Sequence, residues 1–141
     1  MIAKFDSYKN YAKCIEATAI KFQKMIRMEA ADDDGFLNCV TCGRNVHWKA
    51  ANAGHYYSRI HKSVVFYEPN CHPQCVHCNL PRGLGGNLGE YRRYLEETYT
   101  DVLLEDMEEM KKTPRKYSLP ELAEMRQRFL DRIKIQEKRL C

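Results

Sequence analysis

The chain has 141 residues, a formal net charge of +4 and seven cysteines, enough for one domain with a modest core that profits from a metal. Its first thirty residues are amphipathic and broken by charges, so neither a secretory segment nor a membrane span is expected. Cysteines in paired spacing without a secretory context read as metal ligands rather than disulfides, and the small positive excess permits nucleic-acid binding without demanding it.

From Tyr8 to about Glu29, apolar residues recur at Tyr11, Ile15, Ala19, Phe22 and Met25/Ile26, the spacing of a helix with one buried face. Asp32-Asp33-Asp34-Gly35 ends it. Short strands and loops are expected next, with turns at Gly43 and Gly54 and a strand over Val64-Val65-Phe66-Tyr67. Gly83, Gly85 and Gly86 punctuate a loop, and Asn87 leads into a helix carrying Tyr91, Tyr94 and Leu95. Thr100 caps a further helix through Leu103, Leu104, Met107 and Met110, and Pro114 breaks the chain after it. Ser118 and Glu121 have capping-box spacing ahead of a last helix with Leu122, Met125, Phe129 and Ile133 on one face. The expected class is α+β, divided into an N-terminal helical segment (1–36), a metal-stapled segment (37–98) and a helical, basic C-terminal tail (99–141).

The middle segment carries the chemistry. Cys39-Val-Thr-Cys42 and Cys75-Val-His-Cys78 are two knuckles about 32 residues apart, able to set four thiolates tetrahedrally around one structural zinc. Cys71 and His47 are read as a buried thiol and a strand or surface histidine, His77 as exposed, and Cys14 and Cys141 as one core and one tail residue. Between and after the knuckles lie His55, Asn70 and Asn79. A hairpin would return Asn70 beside His55, where its carbonyl would accept from one ring nitrogen and leave the other free to take a proton from water. Asn79, expected at a helix start and pinned by the zinc cage, offers an oxygen that suits a hard cation such as Mg²⁺.

Charge is distributed unevenly. Arg44, Lys49, Arg59, Lys62 and Arg82 oppose Glu68 and Glu90 in the middle segment, residues 91–110 are acidic, and the tail is basic again. A polyanion is attracted to the first and last regions and repelled between them. Arg59, Lys62 and Arg82 are the expected DNA contacts, with a solvated helix face as the other reading of the tail.

The residues Cys39-Val-Thr-Cys-Gly43, Ala53-Gly-His-Tyr56, Ser58-Arg-Ile-His61 and Asn70 through Gln74-Cys75-Val-His-Cys78-Asn79 resemble the phage recombination endonuclease NinG (Rap) family. That family is similar to the ββα-metal, or HNH, nuclease fingers, and the Cys-Asn ending resembles the zinc-stapled endonuclease VII branch. The resemblance implies a zinc-stapled ββα-metal finger flanked by α-helices. Its catalytic residues would be His55, Asn70 and Asn79, with Mg²⁺ or Mn²⁺ held at Asn79. It also implies cutting of branched recombination intermediates, Holliday junctions and D-loops, in the cytoplasm of a bacterial host. Two departures follow. NinG-like chains commonly carry an acid three residues before the motif histidine, where this chain has Asn52. Many HNH fingers place a metal-binding Asp directly before it, where this chain has Gly54. The second protein ligand of the cation is thereby left open among His61, His72 and water.

Paired cuts on a two-fold symmetric junction call for a homodimer, and the apolar faces Tyr11–Ile26 and Leu122–Ile133 are its candidate surfaces unless they pack on each other within one chain. Two other function classes remain. A non-catalytic zinc DNA-binding module is favoured by Gly54 and Asn52 but opposed by the His–Asn–Asn set. A thiol redox protein is disfavoured because two Cys-x-x-Cys pairs share one segment with no βαβ pattern around them.

Overall fold

A computed structural model of the chain describes residues 11–140. Helix α1 (Tyr11–Ala30) is followed by β1 (Phe36–Asn38), β2 (Asn45–His47), β3 (Ala51–His55), β4 (Cys71–Cys75) and the single-turn α2 (Val76–Asn79). Helices α3 (Leu88–Thr98), α4 (Asp101–Lys112) and α5 (Leu119–Leu140) complete it. The class is mixed α and β, as the patterning requires. Residues 8–10 of the expected first helix, and Cys141, lie outside the described residues.

The longest contact is between α1 and α5. Tyr117 N–H donates to Tyr11 Oη at one end, and Arg139 donates to the Met28 and Ala31 carbonyls at the other, so the helices run parallel. Phe22, Met25 and Met28 of α1 meet Phe129 and Ile133 of α5, and Cys71 of β4 closes the cluster. Fully burying a side chain of this size stabilises by about 1.5–3 kcal/mol. The two apolar faces expected as dimer surfaces therefore cover one another within the chain, because the apolar stripe of each helix is the nearest cover for the other. Arg132 fastens the pair from outside, with bonds of 2.6–2.9 Å to Glu29 and Glu68.

Two antiparallel hairpins lie beside the helices. In the first, Phe36 pairs with His47 and Asn38 with Asn45. The second brings Ala51 opposite Cys75, Asn52 opposite Gln74, Gly54 opposite His72, and His55 opposite Cys71. Pro73 is tolerated in β4 because a two-stranded sheet leaves every strand an edge. Its carbonyl accepts from Val40 N–H (3.1 Å), which ties the first knuckle to the second hairpin.

Local signals account for most boundaries. Thr100 Oγ1 caps α4 by accepting from Leu103 N–H at 3.2 Å. Ser118 Oγ accepts from Glu121 N–H, and the Glu121 carboxylate accepts from Ser118 N–H, a complete capping box for α5. Asp32 Oδ1 accepts from the N–H groups of Asp34 and Phe36, turning the chain out of α1. Three expectations need correction. Val64–Tyr67 is not a strand: Lys62–Val64 forms a 3-10 turn, and Val64 and Val65 enter separate core clusters. Gly54 lies within β3 rather than at a turn. Asn79 ends α2 instead of starting a helix, because the zinc knuckle itself supplies the first turn.

Candidate functional site

The four knuckle cysteines converge. All four Sγ atoms of Cys39, Cys42, Cys75 and Cys78 lie within 4.8 Å of one another, and Cys42 and Cys75 approach to 3.7 Å. Four bonds of about 2.3 Å in a tetrahedron set neighbouring sulfurs about 3.8 Å apart, so the set fits one zinc. Gly43 makes the first knuckle possible: its φ of +79° suits glycine, and its N–H returns to the Cys39 carbonyl at 2.9 Å. Burial pushes the Cys39 thiol up, but hydrogen bonds from the Thr41 side chain and the main chain around it outweigh this and lower it to about 6. Asn87 Nδ2 donates to Cys78 Sγ at 3.7 Å, so the loop after α2 also supports the cage.

The cage anchors β4 and α2, and through them an open cleft of about 700 Å³ between α1, β3 and the end of α2. His55 and Asn79 both line it, as do Arg27, Lys49 and Arg59. His55 packs near Phe22, with ring centroids 6.2 Å apart. Its Nε2 bonds the Val65 carbonyl at 2.9 Å, which makes Nε2 the protonated nitrogen. Nδ1 makes only a long contact, 4.0 Å, with Cys71 Sγ. Burial holds His55 below the usual imidazole range; the Val65 carbonyl opposes this and the Arg59 charge adds to it. The ring is neutral at pH 7, with a lone pair on Nδ1.

Asn70 acts one step further away than its spacing suggested. It is fully buried, its Oδ1 accepts from Tyr57 N–H (2.8 Å), and its Nδ2 donates to the Tyr57 and Val64 carbonyls (3.0 and 3.1 Å). The Asn70 amide thus bonds the loop and not His55. The main-chain carbonyl of Val65 takes that place at the ring, and Asn70 staples the 57–64 loop that presents it.

The two histidines considered as cation ligands stand elsewhere. His61 precedes the 3-10 turn and does not line the cleft. His72 points the other way from the hairpin, with Nδ1 3.3 Å from Tyr91 Oη and Nε2 2.8 Å from Tyr99 Oη. Burial pushes its imidazole down to about 4. The unfolded chain takes up that proton near pH 6.5 and the folded chain resists it, so stability from His72 is complete above pH 6.5 and falls as pH drops toward 4. Between pH 6.5 and 5 the loss is about 2 kcal/mol. Denaturant unfolding should show the gap between the chain and its His72→Gln variant narrowing by that amount from pH 7 to 5. A pH-independent gap would exclude His72 as the source.

Of the expected DNA contacts, Arg59 lines the cleft while pairing with Glu16 at 2.7 Å. Lys62 donates to the Arg59 carbonyl, and Arg82 is exposed on the loop after α2. The sequence marks Lys49 only as one of the basic residues of the middle segment and gives Arg27 no role. Each stands 5.7 Å from the centre of the Trp48 ring, and Arg27 also donates to the Trp48 carbonyl. The available signal was Arg27 four residues after Gln23 on one helix face, both of which line the cleft.

Gln74 was missed as well. Its side chain is completely buried beneath Gly54, next to Asn79. Among the described residues no helix is long and apolar enough to cross a membrane.

The family model of the bacteriophage lambda NinG protein matches residues 3–139. No curated protein and no solved structure matches the chain.

Proposed function

Because the chain belongs to the bacteriophage lambda NinG protein family, we propose that it is a metal-dependent endonuclease hydrolysing phosphodiesters in branched recombination intermediates. The observation that supports this most is the shared cleft: a neutral His55 whose Nδ1 has only the 4.0 Å contact with Cys71 Sγ, together with Asn79 and the cations Arg27, Lys49 and Arg59 in the same lining. In this reading β3, β4 and α2 are the ββα-metal finger, with zinc as its staple.

His55 Nδ1 accepts the proton of the attacking water, and the Val65 carbonyl keeps the other ring proton in place. Asn70 holds the loop that carries this carbonyl. The guanidinium and ammonium groups orient the phosphate along the cleft without reading bases. A divalent cation, Mg²⁺ or Mn²⁺, supplies charge neutralisation at the phosphate and the leaving oxygen when bound at Asn79. Two-fold junctions require two such sites, so a homodimer forms part of the proposal; the faces of α1 and α5 are already used within the chain and do not make its interface.

The test is a labelled four-way junction incubated with the zinc-loaded chain and Mg²⁺ or Mn²⁺, set against flapped, single-stranded and linear duplex DNA. The junction should be cut, and unlabelled linear duplex of equal length should compete poorly. Equal competition would remove branch specificity. Junction binding without any cutting in either metal would leave a non-catalytic zinc DNA-binding module.

A further inference from the structure

Gln74 carries a polar atom that the fold leaves unsatisfied. Its Nε2 donates to Thr41 Oγ1 at 3.1 Å and to the Gly86 carbonyl at 2.9 Å. A main-chain carbonyl can only accept, so the amide cannot be turned over, and Oε1 must face the opposite way. There it has neither a donor nor solvent, the only buried side-chain nitrogen or oxygen among the described residues without a partner. An orphaned acceptor of this kind costs about 1–3 kcal/mol.

What it faces is the bare Cα of Gly54. A Cβ on that residue would overlap Gln74 Oε1 and stand 2.8 Å from Asn79 Oδ1. Two amide oxygens thus converge on one point, one fixed by its own nitrogen and the other by the zinc knuckle next to it. Partial negative charges brought together, with the Gln74 oxygen shut off from water and Asn79 at the edge of the open cleft, repel unless a cation joins them. They can come this close only because residue 54 has no side chain.

We propose that Gln74 Oε1 is the second protein ligand of the divalent cation, paired with Asn79 Oδ1 across Gly54. This rests on the nuclease reading, and it replaces the carboxylate that Gly54 lacks with an oxygen from the facing strand. Two neutral amides bring no negative charge, so the remaining octahedral positions fall to water and to phosphate oxygens. The ion should accordingly bind better with DNA present than without it.

The experiment is Mn²⁺ titration of the zinc-loaded chain, following free Mn²⁺ by electron paramagnetic resonance, with zinc content measured in each sample. Gly54→Ala puts a methyl group on the point where the two oxygens meet and displaces Gln74 Oε1. Gln74→Ala removes one oxygen. Each should weaken Mn²⁺ binding at least tenfold with zinc retained. Adding Gly54→Asp to Gln74→Ala should restore it, because the new carboxylate enters the space vacated by Gln74; a merely structural glutamine would not be rescued in this way. Unchanged Mn²⁺ affinity in Gly54→Ala and Gln74→Ala, in a chain that still cuts junctions, overturns the ligand assignment alone. A chain that neither binds Mn²⁺ nor cuts overturns the nuclease reading and this inference with it.

Discussion

Replacing His55 with alanine is expected to abolish junction cutting, by at least about 10²-fold for a removed general base, while zinc content and junction binding persist. The expectation comes from the ring's setting. Nε2 is committed to the Val65 carbonyl, burial keeps the ring neutral, and Nδ1 has only the distant Cys71 sulfur near it. The cations that would hold the phosphate, Arg27, Lys49 and Arg59, sit on α1, the turn before β3 and the following loop, so the substitution leaves them in place. Single-turnover cleavage and a junction-binding assay on the same preparation separate the two effects. Near-normal turnover in the variant would sink the assignment of His55, and loss of binding in proportion to cleavage would point to a disordered cleft.

Removing the zinc should cost more than activity. Four thiolates this close would fill a zinc ion's coordination sphere and leave no open position for water, the pattern of a structural site. Zinc binding at such sites is worth about 10–16 kcal/mol in small domains, as large as the whole stability of a typical one, about 5–15 kcal/mol. The β4 and α2 side of the cleft is tied to the cage: Val40 bonds Pro73, Gln74 reaches Thr41, and Asn87 bonds Cys78. Chelation, or Cys75→Ser, should therefore abolish the cooperative thermal transition of the hairpin region and open the cleft. Circular dichroism and hydrogen exchange over residues 36–87 would read this directly. A metal-free chain with unchanged exchange protection and melting temperature would show that the sulfurs converge without needing a metal.

Features encoded within a few residues were legible in the sequence. The Cys-x-x-Cys pairs, the Ser118–Glu121 capping box, the Thr100 cap and the periodic faces of α1 and α5 are short-range patterns, and each forms where its spacing puts it. His55 and Asn79, singled out by their offsets from the cysteines, line one cleft because the knuckles turn those offsets into positions in space. Tertiary structure decided whatever depends on which groups meet across the chain. Asn70 could have bonded the imidazole or the loop, and the carbonyls of Tyr57 and Val64 took its amide because the loop folds them directly around it. His72 is a potential ligand by type, yet two tyrosines from α3 and the loop after it close over its ring. The apolar faces of α1 and α5 carry no mark of their partner, since hydrophobic burial is non-directional; proximity within the chain made them cover each other. Gln74 is the extreme case. A glutamine before a zinc cysteine reads as an ordinary polar residue, and only the register that lays it beneath Gly54, with its nitrogen spent on Thr41 and Gly86, leaves its oxygen facing Asn79.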